Sequence, residues 1–239
     1  MLTPKTLFKF RKIDGNCFRL ISNRELWYAS PSTFNDPFEG ESSFSEVLES
    51  VWEKHPLPES ERALYFEKIQ RTLNESGICS FSKTRKNQHM WAHYADEHKG
   101  LCIGFKEELL RPLGSSIFPI DVTYQSNYPF AEIIKRFNYF EQFPGQNSVG
   151  SVAGDIIYSI LSTKYTSWRY EKERRLLFCR SEAIPFCPNA INSVAFGLRT
   201  PEKDKTAIRG IMSGTEWKHV QWYQAVKSRT KYALEFERI

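Results

Sequence analysis

The sequence predicts an α+β fold: a mixed or antiparallel central sheet with flanking helices. Two observations carry this. Short strand-like runs outnumber strand–helix–strand units, and the helical segments stand between them without the regular alternation that would demand a parallel sheet. A third observation, the lack of internal repeats and low-complexity tracts, argues for one domain over residues 1–239, with residues 43–76 as a peripheral helical insertion. With 41% hydrophobic and 15% aromatic residues in 239, the chain can bury a sizeable core rich in large rings.

The elements follow in order. "LFKFR" alternates, which as a strand puts Phe8 and Phe10 on one face and leaves Lys9 and Arg11 together on an exposed one. "DGNCFRLISNREL" reads as a helix capped by Asp14, with Phe18, Ile21 and Leu26 as its apolar stripe. "LWYAS" is a short strand that delivers the chain to the turn-rich corner "NDPFE". Residues 43–76 read as a helical pair broken at "HPLPES", with Glu59 or Ser60 starting the second helix after Pro58.

"GICSFS" is strand-like, and "QHMWAHYADEHKGLCIGF" runs from a helix through Gly100 into a buried strand, Leu101 to Phe105. "IFPIDVTYQ" reads as one strand and "PFAEIIKRFNYFEQF" as an amphipathic helix. "GQNSVGSVAGD" has the small residues of a flexible loop, and a helix, "DIIYSILSTKY", follows it. "INSVAFGLR", "HVQWYQAVK" and "YALEFERI" are the last strands, with the helix "PEKDKTAIRGIMS" among them.

The net charge of +5 and pI near 8.9 tilt toward an anionic partner, although 33 basic against 28 acidic residues is also an ordinary solvated surface. Five cysteines with no CxxC pair suggest neither a disulfide framework nor a zinc ribbon, so a reducing cytoplasm fits. The N-terminal "MLTPKTLFKFRK" lacks a signal-peptide core, and no run approaches a membrane span. There is no G-x-S-x-G, no P-loop and no G-x-G-x-x-G, which removes the signatures of serine hydrolases, P-loop enzymes and Rossmann dehydrogenases.

Three constellations carry chemistry. On a strand, "YEKERRLLF" would place Arg169, Glu171, Glu173 and Arg175 on one face, with the carboxylates roughly 6.5–7 Å apart. Such a pair belongs either to a site that stabilises positive charge or to a ladder of Arg and Glu neutralising one another. His89, His93 and His98 lie close in sequence; a helical H-x-x-x-H can hold a metal, but Met90, Trp91 and Tyr94 on the same helix favour aromatic packing with His93 as a ligand-binding group. Tyr28 reads as a ligand-binding residue, and Asn35 and Asp36 after it either bind ligand hydroxyls at the mouth of a cleft or cap their own turn.

Three islands, "LFKFRK…ELWYASPSTFNDPFE", "ICSFS…MWAHYADEHKGLCIGF" and "KYTSWRYEKERRLL…VAFGLR", together resemble a bacterial family of uncharacterised domains marked by NDPFE, MWxHY and WxxExExR. More loosely, the first strand with its polar pair, the strand ending "YAS" and the late Glu-x-Glu are similar in arrangement to ADP-ribosyltransferases. That resemblance implies NAD as substrate, cleaved at the nicotinamide bond, and an ADP-ribosyltransferase-like fold. It implies that Glu173 is the essential carboxylate and that Glu171 orients or activates the attacking group. Lys9 or Arg11 would hold the pyrophosphate or ribose, and Trp91 or Tyr94 would stack on a ring; Lys9 departs from the His or Arg usual there. The acceptor would be a nucleic acid or a protein, in the setting of a toxin or anti-phage effector with a neutralising partner protein. Two other classes stand beside it: a non-catalytic module that binds a nucleotide or nucleic acid, and a metal-dependent nuclease using His89, His93 and Asp36.

Overall fold

The strand expected after Lys5 forms as β1 (Thr6–Arg11) and lies inside the main sheet rather than at its rim. The computed structural model describes residues 5–36, 38–39, 41–142 and 149–239. Beyond β1 come α1 (Gly15–Asn23), β2 (Glu25–Trp27), α2 (Glu41–Lys54), α3 (Glu59–Glu75), β3 (Gly77–Ser82), α4 (Gln88–Tyr94), β4 (Leu101–Lys106) and α5 (Glu107–Leu110). The chain continues as β5 (Phe118–Asp121), β6 (Thr123–Gln125), α6 (Phe130–Gln142), α7 (Val149–Leu161), β7 (Thr163–Tyr165) and β8 (Glu173–Phe178). It ends with β9 (Ala183–Pro185), β10 (Ile191–Phe196), α8 (Glu202–Ile211), β11 (Gln221–Lys227) and β12 (Leu234–Arg238).

Eight strands form one sheet in the order β12-β11-β10-β4-β1-β3-β8-β5. β10 and β11 run parallel and the other paired strands antiparallel, so the fold is α+β with a mixed central sheet. β2 pairs β9, and β6 pairs β7, in two small sheets beside it.

Both faces of the main sheet are covered. One carries Leu7, Phe81, Ile103, Phe105, Leu176 and Val194, packed against Cys17, Leu20 and Ile21 of α1 and Ile208 of α8. The other face is divided. Over β3, β8 and β5, Ile78 and Ile120 pack beneath α2, α3, α6 and α7. Over β1, β4 and β10, Phe10, Cys102 and Ala195 pack against Met90 and Trp91 of α4. A cleft opens between these two helical groups, where the sheet itself has a fault: β1 and β3 share a single register pair, Phe8 with Ser82, whereas β1 and β4 share six. Where β1 leaves β3, Ala29 takes its place, exchanging two backbone hydrogen bonds with Ile78 at 2.9 and 2.8 Å.

Several local expectations hold. Asp14 caps α1 by accepting from the Cys17 N–H at 3.0 Å, and α3 begins at Glu59 directly after Pro58. Gly100 sits where only glycine fits, since a Cβ there would lie 2.2 Å from the Arg11 carbonyl oxygen.

Others are corrected. α1 stops at Asn23 because Arg24 turns left-handed (φ 57°), which moves Leu26 out of the helical stripe and into β2. The helix of α4 ends at Tyr94, and Asp96, Glu97 and His98, all at positive φ, carry the chain to Gly100. "IFPIDVTYQ" is two strands in two different sheets, divided at Val122. Residues 149–155 of the expected flexible loop are the first half of α7, held by its buried Val152 and Ala153; residues 145–148, like Pro37 and the first four residues, lie outside the described residues. Lys9 and Arg11 do not share an exposed face. They project with Leu7 toward the first core cluster and are half-buried, because a strand with neighbours on both edges in a sheet covered on both faces has no solvent side.

Candidate functional site

The cleft is a cavity of about 240 Å³. Its floor is Phe8 and Phe10 of β1, Ser80 and Ser82 of β3, and Glu173 and Arg175 of β8. Met90 and Tyr94 wall one side, and Trp168, Lys164, Asn35, Asp36 and Glu39 the other.

The expected strand over Arg169–Arg175 is corrected here. Thr166–Glu171 form a 3-10 turn, Lys172 is left-handed (φ 46°), and β8 begins only at Glu173. The twofold period is therefore broken, and Arg169 is left exposed. Backbone bonds hold the junction: the Ser82 hydroxyl donates to the Glu171 carbonyl at 2.6 Å and the Lys83 N–H to the Lys172 carbonyl at 2.9 Å. The turn nonetheless folds Glu171 back beside Glu173, so the two carboxylates meet by a route the strand reading did not contain.

They meet on a shared cation. Lys164 Nζ, delivered by β7, donates to Glu171 Oε2 at 2.7 Å and Glu173 Oε2 at 3.3 Å, and lies 3.4 Å from Glu39 Oε2. Arg175, only 1% exposed, donates through Nε to Glu173 Oε1 at 2.8 Å, through Nη2 to Glu173 Oε2 at 3.0 Å and to Glu39, and through Nη1 to the Leu161 carbonyl at 2.8 Å. Tyr94 donates to Glu171 Oε1 at 2.6 Å, and the Glu173 N–H donates to the Tyr124 hydroxyl at 2.7 Å. Five buried charges, three carboxylates and two cations, thus form one network with one more negative than positive group. A buried network of this kind is tolerated only because nearly every polar atom has a partner.

Its electrostatics follow from burial against pairing. Burial pushes the Glu173 carboxyl up, but the Arg175 and Lys164 charges together outweigh it and hold it at about 2. Burial pushes Glu39 up, and there the same two cations do not fully compensate, so its carboxyl stays above the ordinary range. Burial alone would lower Lys164, but Glu173, Glu39 and Glu171 raise it, so the ammonium stays charged. Tyr94 is pushed up by burial and by donating to Glu171, which keeps its hydroxyl a donor.

The remaining residues divide. Lys9 lines the cleft where β1 and β3 part; its Nζ donates to the Ser80 carbonyl at 2.9 Å and sits 5.2 Å from the Phe81 ring centroid, filling the place of a missing strand bond. Arg11 lines the same end. Asn35 lines the mouth, exposed, and Asp36 lies buried beside it with Oδ1 accepting from the Phe38 N–H at 3.0 Å and Oδ2 without a hydrogen-bond partner among the described residues. The corner is therefore both an Asn/Asp turn and a wall of the cleft. Tyr94 is in the cleft; His93 is outside it, its ring 6.4 Å from that of His89 and 6.1 Å from that of Tyr170.

Tyr28 and Trp91 are corrections. Tyr28 is 1% exposed and packs edge-on to Phe178 in the first core, and Trp91 is fully buried against Phe10, His98 and Phe236 with its Nε1 donating to the Arg85 carbonyl at 2.7 Å. Neither ring has a free face to offer a ligand. Among the described residues no group of three or more His, Cys, Asp or Glu side chains is placed to hold a metal.

Lys164, Glu39 and Trp168 were not singled out as site residues. A signal existed for Lys164: a lone cation between the apolar helix "DIIYSIL" and "YTSW", where a solvated lysine has little reason to be.

No curated protein and no solved structure matches the chain. Among the described residues no helix is long and apolar enough to cross a membrane. Residues 90–176, which run from within α4 into β8 and carry Tyr94, Lys164, Glu171, Glu173 and Arg175, match a family described as "Protein of unknown function (DUF2971)".

Proposed function

We propose that the protein is an NAD-dependent ADP-ribosyltransferase whose cleft holds the nicotinamide end of NAD at the buried charge network. The observation that carries this is the polarity of the cleft. Its carboxylate-rich end, where Glu39, Glu171 and Glu173 outnumber Lys164 and Arg175 and Asp36 stands beside them, is separated from a cationic end, Arg11 and the Ser80-bonded Lys9, by the width of β3, roughly 10 Å between β1 and β8 at ordinary strand spacing. NAD has the matching pattern: a cationic pyridinium on a ribose that becomes more cationic as the bond breaks, then an anionic pyrophosphate.

In this reading the bond between ribose C1′ and the nicotinamide nitrogen breaks with its electron pair leaving on nicotinamide. The acceptor's lone pair forms the new bond at C1′, and the acceptor's proton passes to a base. Glu173, ionised at any physiological pH, faces the developing oxocarbenium charge. Glu171, held by Tyr94, is the group beside the attacking atom. At about 240 Å³ the cavity is smaller than most ligand pockets, so the adenosine end would lie outside it.

A second reading is supported by the saturation of Glu171 and Glu173, whose four oxygens are all engaged by Tyr94, Lys164 and Arg175. It is a module that binds a nucleotide without turning it over. Purified protein incubated with NAD separates the two: nicotinamide release by the wild type that is lost in Glu173→Gln and weakened through KM in Arg11→Met supports the transferase. Melting curves establish that both variants fold. Binding of NAD with no release over hours would sink the transferase and leave the binding module; neither binding nor release would sink both.

A further inference from the structure

We infer that the acceptor is single-stranded nucleic acid, docked along a basic groove and an aromatic ledge that meet at the cleft; this rests on the transferase reading for its chemistry but not for its binding. The groove is a second cavity, of about 510 Å³, formed where the loop after β3 passes β10 and β11. It is lined by Lys83, Arg85, Lys86, Lys106 and His219, and no Asp or Glu lines it among the described residues. Lys83 also reaches Asp121 outside the groove, while Lys86 and Lys106 have no carboxylate partner within 4 Å among the described residues. The Arg85 guanidinium carbon lies over Tyr223, 3.9 Å from its centroid, and 4.7 Å from that of Phe236, so it is held in place by rings rather than by an anion. Phe8 lines both this groove and the cleft, so the two are neighbours that share one wall.

On the other side of the same loop stands the ledge. The rings of His89 and Tyr170 are 5.2 Å apart, His89 and His93 6.4 Å, and Tyr170 and Trp168 6.0 Å, and Trp168 is itself a wall of the cleft. Asn87 joins groove to ledge by donating to the Tyr170 carbonyl. His89 and His93 are exposed, and neither is needed for the core. A track of cations with no carboxylate in its lining suits any polyanion, but a row of accessible rings beside it has a use only when the partner has unstacked bases to lay on them. That combination favours a single strand over a duplex, whose bases are already stacked, and over an acidic peptide, which has none.

The test is binding of a fluorescent RNA and a DNA single strand of about 20 residues, longer than the roughly 4–16 nucleotides one small domain covers, across a salt series. Wild type is expected to bind both with a salt-dependent affinity. Lys86→Glu/Lys106→Glu should weaken binding by about ten-fold or more and flatten the salt slope by about 1.4, two contacts at ~0.7 each. His89→Ala should weaken it about five-fold or more with the slope unchanged, and His89→Phe should restore it. No single-strand binding by the wild type at low salt, or a double reversal that binds as tightly as wild type, would overturn the proposal. So would a duplex or polyglutamate that competes as well as the single strand. Nicotinamide release without acceptor should be the same in the groove variants as in wild type. Release with no oligonucleotide binding would refute the acceptor alone, whereas oligonucleotide binding with no NAD consumption would refute the transferase and leave the docking surface standing.

Discussion

Glu173 and Arg175 are two residues apart on β8 and their side chains close on each other across the same face of the sheet, Nε to Oε1 at 2.8 Å and Nη2 to Oε2 at 3.0 Å. A strand normally sends residues i and i+2 out in parallel; here the pair is buried and Lys164 and Glu39 complete its charges from other elements. A buried pair with this geometry makes the protein's stability sensitive to anything that removes one member.

Acid should reveal it first. The folded value of Glu173, about 2, lies below the ordinary carboxyl range, so the stability it contributes is present above that range and is lost as pH falls toward 2. Chemical denaturation across acid pH should show a loss on the order of 3 kcal/mol from this group. In Glu173→Gln that part of the slope should vanish; an unchanged slope would mean that the pairing is not what holds the carboxyl down.

Glu39 has the opposite sign. Its raised folded value means that the stability it contributes is present below the ordinary carboxyl range and is lost as pH rises through the folded value. A cation entering the cleft would favour its ionised form, so in acid, where Glu39 still carries its proton, binding of the 1-methylnicotinamide cation should release that proton and strengthen as pH rises. Calorimetry in two buffers of different ionisation heat reads the proton directly, and Glu39→Gln should abolish the release.

Lys164→Met leaves three buried carboxylates with one cation. The expected loss at neutral pH is about 3–5 kcal/mol, shrinking in acid as the carboxylates take protons. Denaturant midpoints at the two pH values test it, and a loss that grows in acid would contradict the network.

Two aromatic residues on one helix should behave differently. Trp91→Ala removes a fully buried ring and should cost about 3–5 kcal/mol of stability. Tyr94→Phe removes the only hydroxyl that reaches Glu171 Oε1 among the described residues, and should cost about 1–3 kcal/mol while altering the pH profile of turnover. Equal effects of both on ligand affinity alone would show that Trp91 is not walled in as described.

The comparison of reading with structure is clearest at α1 and at the Glu-x-Glu segment. Asp14 was legible as a cap because its hydrogen bond to Cys17 N–H is closed within four residues. The path through Glu171 was not, because a left-handed Lys172 is permitted by no local pattern and is held by bonds from β3, some ninety residues away in sequence. Trp91 was read as a ligand ring since nothing local distinguishes an aromatic that stacks on a ligand from one that stacks on Phe10 and Phe236.

The sequence by itself determined most element types, the α+β class and the position along the chain of the carboxylates, because periodicity, caps and turn residues act over a few residues. Only the tertiary structure decided which strands are neighbours, that β1 and β3 part to open a cleft, and that Lys164, Glu39 and Arg175 surround Glu173. Those are contacts between segments far apart in the chain, chosen by which arrangement buries the apolar faces together while leaving the fewest charges unpaired, and no short window of sequence contains that choice.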